Sequence, residues 1–449
     1  MAFSLLTDAW LPARRASGRT HAMRPCDITD GIEADPVVAL DWPRPDFRLA
    51  GLEFLIGLLA TACPPSDDDD GWNAWWHRPP TPETLQAAFA PLAHAFVLDG
   101  DGPRFMQDFE DFDGKHNSAE TLLIDAPGVA TLEKNTDHFV KRDAVTVLAR
   151  GAAAMALFTL QSFAPSGGSG MRVGMRGGGP LTTLAVPPWH GKLPLWHLLW
   201  ANVPVSKIPE SDKLPSVFPW LSPTRTSETN RPTAPADSHE LQAFWGMPRR
   251  IRLKFAQNTT SAPCDLSGVN DSIVLCGWRQ RKHGIKYNMW AHPLSPYYRQ
   301  KPKTPLDPEW LPVHGQPGGI GYRHWVGLLF DDVADAPTRR AAQAVVTFRA
   351  RRLFQVADNG ELVRWGLLAA GYDIYNSMKV RDFVESEMPI IEPGNPRQTK
   401  DFVLLVRQLI AAAVEAEALL RHSVGRALFS DGATVTPDAE LFATLRSRF

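Results

Sequence analysis

Apolar positions gather in a few blocks along this chain, separated by long stretches without regular period. From Phe47, FRLAGLEFLIGLLATAC is apolar on nearly every side and predicts a buried helix stopped by Pro64 and Pro65. The acidic run Asp67 to Asp70 that follows reads as a solvated loop. TPETLQAAFAPLAHAF predicts a second helix, with Thr81 as its N-cap and Pro82 in the first position. RGAAAMALFTLQSF, from Arg150, predicts a small-residue helix that runs straight into FAPSGGSGMRVGMRGGGPLTT. Further helical periods begin at Thr338 (TRRAAQAVVTFRARRLF) and Thr399 (TKDFVLLVRQLIAAAVEAEALLRHSVGRALF). The second of these is long and Ala/Leu-rich, as bundle helices are. TPDAELFATLRSRF begins one more helix, with Pro437 and Asp438 in its first turn.

Alternation of period two is rarer. LLTDAWLPA predicts short strands and turns near the start. SIVLCGWRQRKHGIKYNMW predicts a β-hairpin turning at RKHG, which would raise a basic tip. Residues 105 to 145 are polar and irregular, and residues 180 to 248 are rich in Pro and Trp. With 15 tryptophans and 39 prolines in 449 residues, the expected picture is of ordered loops braced by large aromatics.

Charge changes this picture in one place. The whole chain sums to −2, yet Arg249 to Lys303 carries eleven basic residues against Asp265 and Asp271 alone. Such a segment suits phosphates, or it is a solvated face. Four scattered cysteines exclude a disulfide framework and fit a reducing cytosol. The opening residues do not form a signal peptide, and the run Leu49 to Cys63, broken by Glu53, is too short for a span. A cytoplasmic protein without a membrane partner is expected.

The glycine-rich segment Phe163–Thr183 holds seven glycines and two arginines. It lacks the lysine of a phosphate-binding loop, and a helix precedes it where a dinucleotide fingerprint needs a strand. No metalloprotease or nucleophile-elbow motif occurs, Cys264 has no C-x-x-C partner, and no metal or cofactor is expected. What remains is a backbone-presenting glycine loop, a polar loop with Asn135, Phe139 and Lys141, and a basic hairpin with Arg279, Arg281, Lys282 and Lys286. Glycines lay bare backbone against a narrow surface, and cations supply phosphate affinity.

The run LLIDAPG…TLEKNTDHFVKRD…ALFTLQSFAPSGGSGMRVGMRGGGPLTTL, with LLTDAWLP and GYDIYNSMKVRDFVESEMP, resembles the CasA-type large subunit of the type I-E CRISPR surveillance complex, Cascade. The resemblance implies an α+β fold: a large mixed α/β domain, residues 1–394, then a C-terminal helical bundle, residues 395–449. Fifty-five residues cannot make four full helices, so the bundle is expected to be partial and the sequence to end inside a domain. The resemblance also implies a non-catalytic subunit that meets double-stranded DNA at the protospacer-adjacent motif (PAM). Its partners would be that duplex, the guide RNA 5′ handle, the backbone and small subunits, and an effector helicase-nuclease or other nuclease.

Carried over residue by residue, the minor-groove probe falls on Gly167, Gly168, Ser169 and Gly170. The upstream loop falls on Lys134, Asn135, His138 and Phe139, and the duplex-parting wedge near Tyr375, Asn376 and Ser377. The family's lysine finger has no counterpart in AQNTTSAPCDLSG, which leaves PAM reading to Asn258, Thr259 or Thr260 or to fewer contacts. Gly177 to Gly179 read as a turn into a strand, Phe139 alternatively as a core aromatic and Asn376 as a helix cap. The rival reading is an enzyme whose glycine loop cradles a nucleotide or sugar phosphate. It needs a lysine or carboxylates near the loop, and the sequence places none beside it.

Overall fold

The computed structural model describes residues 2–66, 69–135, 137, 141–168, 170–187, 193–304, 309–330, 338–351, 365–376, 378–391 and 396–428. Its centre is the helix Pro45–Ala62, in which sixteen of eighteen residues are buried. A helix apolar all round must be enclosed on every side. The enclosure comes from the helix Arg150–Phe163, whose run of alanines permits close approach, and from a ring of aromatics. Phe54 lies at its middle, edge-on to Trp10, Phe96, Phe105, Phe158 and Trp245.

A second aromatic layer joins the helix Asp69–His77 to the helix Leu195–Asn202. Trp72 and Trp200 donate their indole N–H groups to each other's backbone carbonyls, at 3.3 and 3.0 Å. The first of these helices begins at Asp69, so the end of the acidic run is helical where a loop was expected. Buried Trp72 and Trp76, with half-buried Trp75 beside them, supply the amphipathic face that outweighs the acidic start. Thr81 does cap the helix Pro82–Phe89, accepting the Thr84 N–H.

All named sheets are antiparallel. Leu11–Arg15 is flanked by Thr20–Met23 and Val37–Leu40. Gly366–Tyr375 is flanked by Thr182–Val186 and Lys379–Pro389. Tyr297–Arg299 lies between Trp310–Pro312 and Arg339–Arg340, so the stretch from Thr338 opens as a strand before its helix, Gln343–Ala350. Arg250–Gln257 pairs with Ile273–Arg281. This mixture of helices and small sheets is the expected α+β class.

The helix Pro396–Leu428 docks through its first turns, where Phe402 meets Trp325 and Phe330 and Val403 is buried. Farther along, Leu404, Leu405, Leu409 and Leu419 are exposed. The helix expected at Pro437 lies outside the described residues.

Candidate nucleic-acid interface

The glycine segment begins where the helix Arg150–Phe163 stops, and it closes back on that helix end. Gly174 N–H donates to the Ala164 carbonyl at 2.9 Å, and Gly179 N–H to the Phe163 carbonyl at 3.1 Å. Arg176 then turns inward to a buried carboxylate, Glu53 of the central helix, at 3.1 and 2.6 Å. Its guanidinium also reaches Thr182 Oγ1 and Ser295 Oγ. Gly179 has φ +64°, and a Cβ there would lie 2.7 Å from Ile374 Cδ1 and 2.8 Å from Tyr372 Cβ. This half of the segment is the tight turn into the strand Thr182–Val186.

The other half stands away from the core. Arg249 holds its base, donating to the Arg172 carbonyl at 2.7 Å and to the Pro165 carbonyl. Burial without a carboxylate partner pushes Arg249 down to about 10, still cationic at neutral pH. At Gly168, φ is +87° and an added Cβ would meet nothing within 4 Å. Ser169 lies outside the described residues. At Gly170 an added Cβ would sit 2.8 Å from Lys282 Cβ, and the His283 N–H donates to the Gly170 carbonyl at 2.7 Å.

Two expectations are corrected here. A lysine does approach the loop, because Lys282 packs on Gly170, and a carboxylate, Glu53, holds Arg176. The basic hairpin turning at RKHG does not form. Ile273–Arg281 pairs backwards with Arg250–Gln257, in the register Arg250↔Arg281 and Arg252↔Arg279. The upstream strand offers alternating Ile251 and Leu253 to the core, whereas the residues after Arg281 turn toward the glycine loop and Ser227.

The four cations of the expected hairpin therefore do not share a tip. Arg279 reaches Asp113 at 3.2 Å, and Arg281 lies over the Phe112 ring with Glu110 at 3.9 Å. Lys286 donates to Asn230 Oδ1 at 2.9 Å, and Lys282 alone abuts the glycine loop.

In the upstream loop, Lys134 and Asn135 are exposed, and Asn135 Oδ1 accepts from Arg142, which also pairs with Asp137. His138 and Phe139 lie outside the described residues. Tyr375 and Asn376 sit at the turn between the strands Gly366–Tyr375 and Lys379–Pro389, so Asn376 caps no helix. Tyr375 is 48% exposed, with the Arg381 guanidinium 4.7 Å over its ring. Ser377 lies outside the described residues. The strand Gly366–Tyr375 approaches the glycine segment through Ile374, against Gly179. Asn258 braces its own loop, donating to the Ala262 and Asp271 carbonyls, while Thr259 and Thr260 are exposed.

Sequence reasoning missed Arg249, which staples the loop, and the anionic stretch Asp108–Asp113 over the sheet Arg250–Gln257/Ile273–Arg281. The Arg250-x-Arg252-x-Lys254 alternation was the available signal for a cationic strand face. Among the described residues no group of three or more His, Cys, Asp or Glu side chains is placed to hold a metal ion. No helix among them is long and apolar enough to cross a membrane.

Comparison with known proteins places the chain in a family. The family described as CRISPR-associated protein Cse1 matches residues 4–449. Among solved structures, CasA of Thermus thermophilus superposes with a TM-score of 0.68 at 16% identity, covering 100% of this chain and 84% of that one. Cse1 of Acidimicrobium ferrooxidans gives 0.66 at 18% identity, covering 100% and 84%. A chain of a CRISPR RNA-guided surveillance complex gives 0.64 at 14% identity, covering 99% and 90%. At these identities the structural likeness speaks to the fold.

Proposed function

Since this chain belongs to the Cse1 family of CRISPR-associated proteins, we propose that it is the large, non-catalytic subunit of an RNA-guided Cascade complex in the cytoplasm. In this reading it meets the target duplex at the PAM through Gly167–Gly170, with Tyr375–Ser377 as the wedge and Lys134, Asn135, His138 and Phe139 near the PAM and the guide RNA 5′ handle. The other subunits and an effector nuclease complete its partners. A protein chain similar in fold belongs to a CRISPR RNA-guided surveillance complex, which supports that assembly.

The open tip at Gly168 carries the reading. A narrow ridge of backbone without side chains fits a minor groove roughly 6 Å wide, whose edges carry a degenerate code. Lys282 beside Gly170 supplies a cation where a phosphate backbone would pass. The phosphate-cradle alternative needs free amides, and since the N–H groups of Met171, Gly174, Gly177 and Gly179 are donated within the segment or to the helix end beside it, a cradle would have to be built from the tip alone. Arg176, the other candidate for a phosphate, is committed to Glu53.

The test is binding of a PAM-bearing duplex by the assembled complex carrying Gly168→Leu. Affinity should fall by about tenfold or more, the size of one lost base-edge interaction, while binding to duplex without a PAM stays the same. Unchanged affinity and unchanged PAM preference would assign the loop to structure alone. Gly170 is the poorer position to change, because a side chain there displaces Lys282.

A further inference from the structure

The strand Arg250–Gln257 sets Arg250, Arg252 and Lys254 on one face, with Ile251 and Leu253 on the other. Its partner strand places Arg281 opposite Arg250 and Arg279 opposite Arg252. Like charges directly opposed across a sheet repel, so this face needs anions. The segment Asp108–Asp113 supplies them unevenly.

At one end the supply is complete. Asp108, fully buried, pairs with Arg250, and Glu110 stands 3.4 Å from Arg250. At the other end it is not. Arg252, with its side chain only 8% exposed, donates one N–H to the Asp108 carbonyl, but its Nε has no hydrogen-bond acceptor among the described residues. Its carboxylate neighbour is Asp111 at 3.6 Å, a side chain 78% exposed. Arg279 reaches the Phe112 carbonyl and Asp113, and its Nε is likewise buried without an acceptor. Burial pushes the pKa of Arg252 down, and the Arg104 charge pushes it further.

Beside these two guanidiniums opens a cavity of about 420 Å³, lined by Arg104, Arg252, Lys254 and Arg279 with Asp101 and Asp111 facing them. Asp99, also at its wall, is engaged by the Phe3 N–H and by Arg150. We propose that this cavity binds a phosphate group of a nucleic-acid backbone, held by Arg252, Arg279, Lys254 and Arg104 in the position Asp111 now takes. The non-bridging oxygens of a phosphate supply the acceptors that both Nε–H groups lack, in the planar geometry guanidinium favours. Asp111, solvated and at ion-pair distance without a hydrogen bond to Arg252 Nε, is a weak occupant that a phosphate displaces at small cost. The site is separate from the glycine loop and does not depend on its reading of DNA.

A free phosphate monoester offers the same oxygens, so the experiment has two arms. In the first, the full-length chain is titrated with a labelled duplex lacking a PAM, at several salt concentrations. The double variant Lys254→Gln/Arg279→Gln should bind about five- to twentyfold more weakly and lose about 1–2 from the slope of log affinity on log salt. Asp111→Asn should tighten binding about threefold or more by removing the competing charge. Binding within twofold of wild type with the same slope, in a double variant that melts like wild type, would overturn the proposal. If the double variant does not fold, an unchanged affinity for Asp111→Asn, whose side chain is 78% exposed, overturns it instead. In the second arm inorganic phosphate is added at constant ionic strength. Phosphate that raises the melting temperature of wild type but not of the double variant, with equal duplex affinity for both, would assign the cavity to a free phosphate and overturn the nucleic-acid reading.

Discussion

A methyl group on Gly179 would collide with Ile374 and Tyr372, whereas one on Gly168, in the same glycine-rich segment, would meet nothing. The first glycine lets two strands and a helix end come together. The second belongs to an edge whose thinness nothing inside the molecule requires. The two halves differ in their arginines as well. Arg176 is held by a carboxylate, two hydroxyls and the face of Phe163, while Arg249 holds backbone carbonyls and has no carboxylate partner among the described residues. Glycine richness alone therefore does not mark a binding loop. The distinction lies in what a side chain would hit.

The largest expected effect breaks the packed half. Glu53→Leu leaves the Arg176 guanidinium buried without its partner, and such a loss costs about 3–5 kcal/mol. Urea denaturation should show it as a lowered midpoint with an unchanged slope. A loss below about 1 kcal/mol would mean that water reaches Arg176 and that the half is not packed as described.

The direct comparison is Gly179→Ala against Gly168→Ala. Left-handed backbone costs an alanine about 1–2 kcal/mol at either site. Only at Gly179 does crowding add about 1–3 kcal/mol more. Equal destabilisation of the two variants would erase the contrast between the halves.

The smallest effect is one of pH. His292 is held neutral by burial and then by the Arg176 charge, and its Nδ1 accepts the Leu294 N–H. His314 is likewise pushed down by burial, with Nε2 against the Arg176 carbonyl. Both folded pKa values lie below the unfolded value near 6.5. Their stabilisation is complete above pH 6.5 and is lost as pH falls, because the unfolded chain then takes up protons the native state refuses. Each histidine should remove up to about 1.4 kcal/mol per pH unit below that point. Denaturation midpoints at about pH 7.5, 6.5 and 5.5, which bracket that value, measure this, and His292→Gln should flatten the profile.

Local sequence made the helices legible. The helix from Arg150 ends at Phe163 as its periodicity predicts, and the helix starting at Pro45 follows from an apolar run that Pro64 and Pro65 close. Long-range pairing was not legible. Ile273–Arg281 reads as a strand in either direction, and nothing in its alternation says that its partner is Arg250–Gln257 upstream rather than the residues just after it. The same holds for the site. The glycine segment can be read from composition, but which of its glycines stand open cannot, and Lys282 reaches Gly170 and Glu53 reaches Arg176 only because folding joins distant segments. The anionic cover Asp108–Asp113 over the arginine face was hidden for that reason too.

Arg249 has one more effect, and it concerns disorder rather than contact. By tying the carbonyls of Pro165 and Arg172 to one side chain, it fixes both ends of the loop while the tip stays open. With both ends held, less of the loop's backbone is left for a partner to order. Freezing a residue costs about 1–2 kcal/mol, so each anchored position spares the binding event that much. A glycine tip on a floating loop would be thin but costly to order, whereas this loop is tied at both ends before any partner arrives.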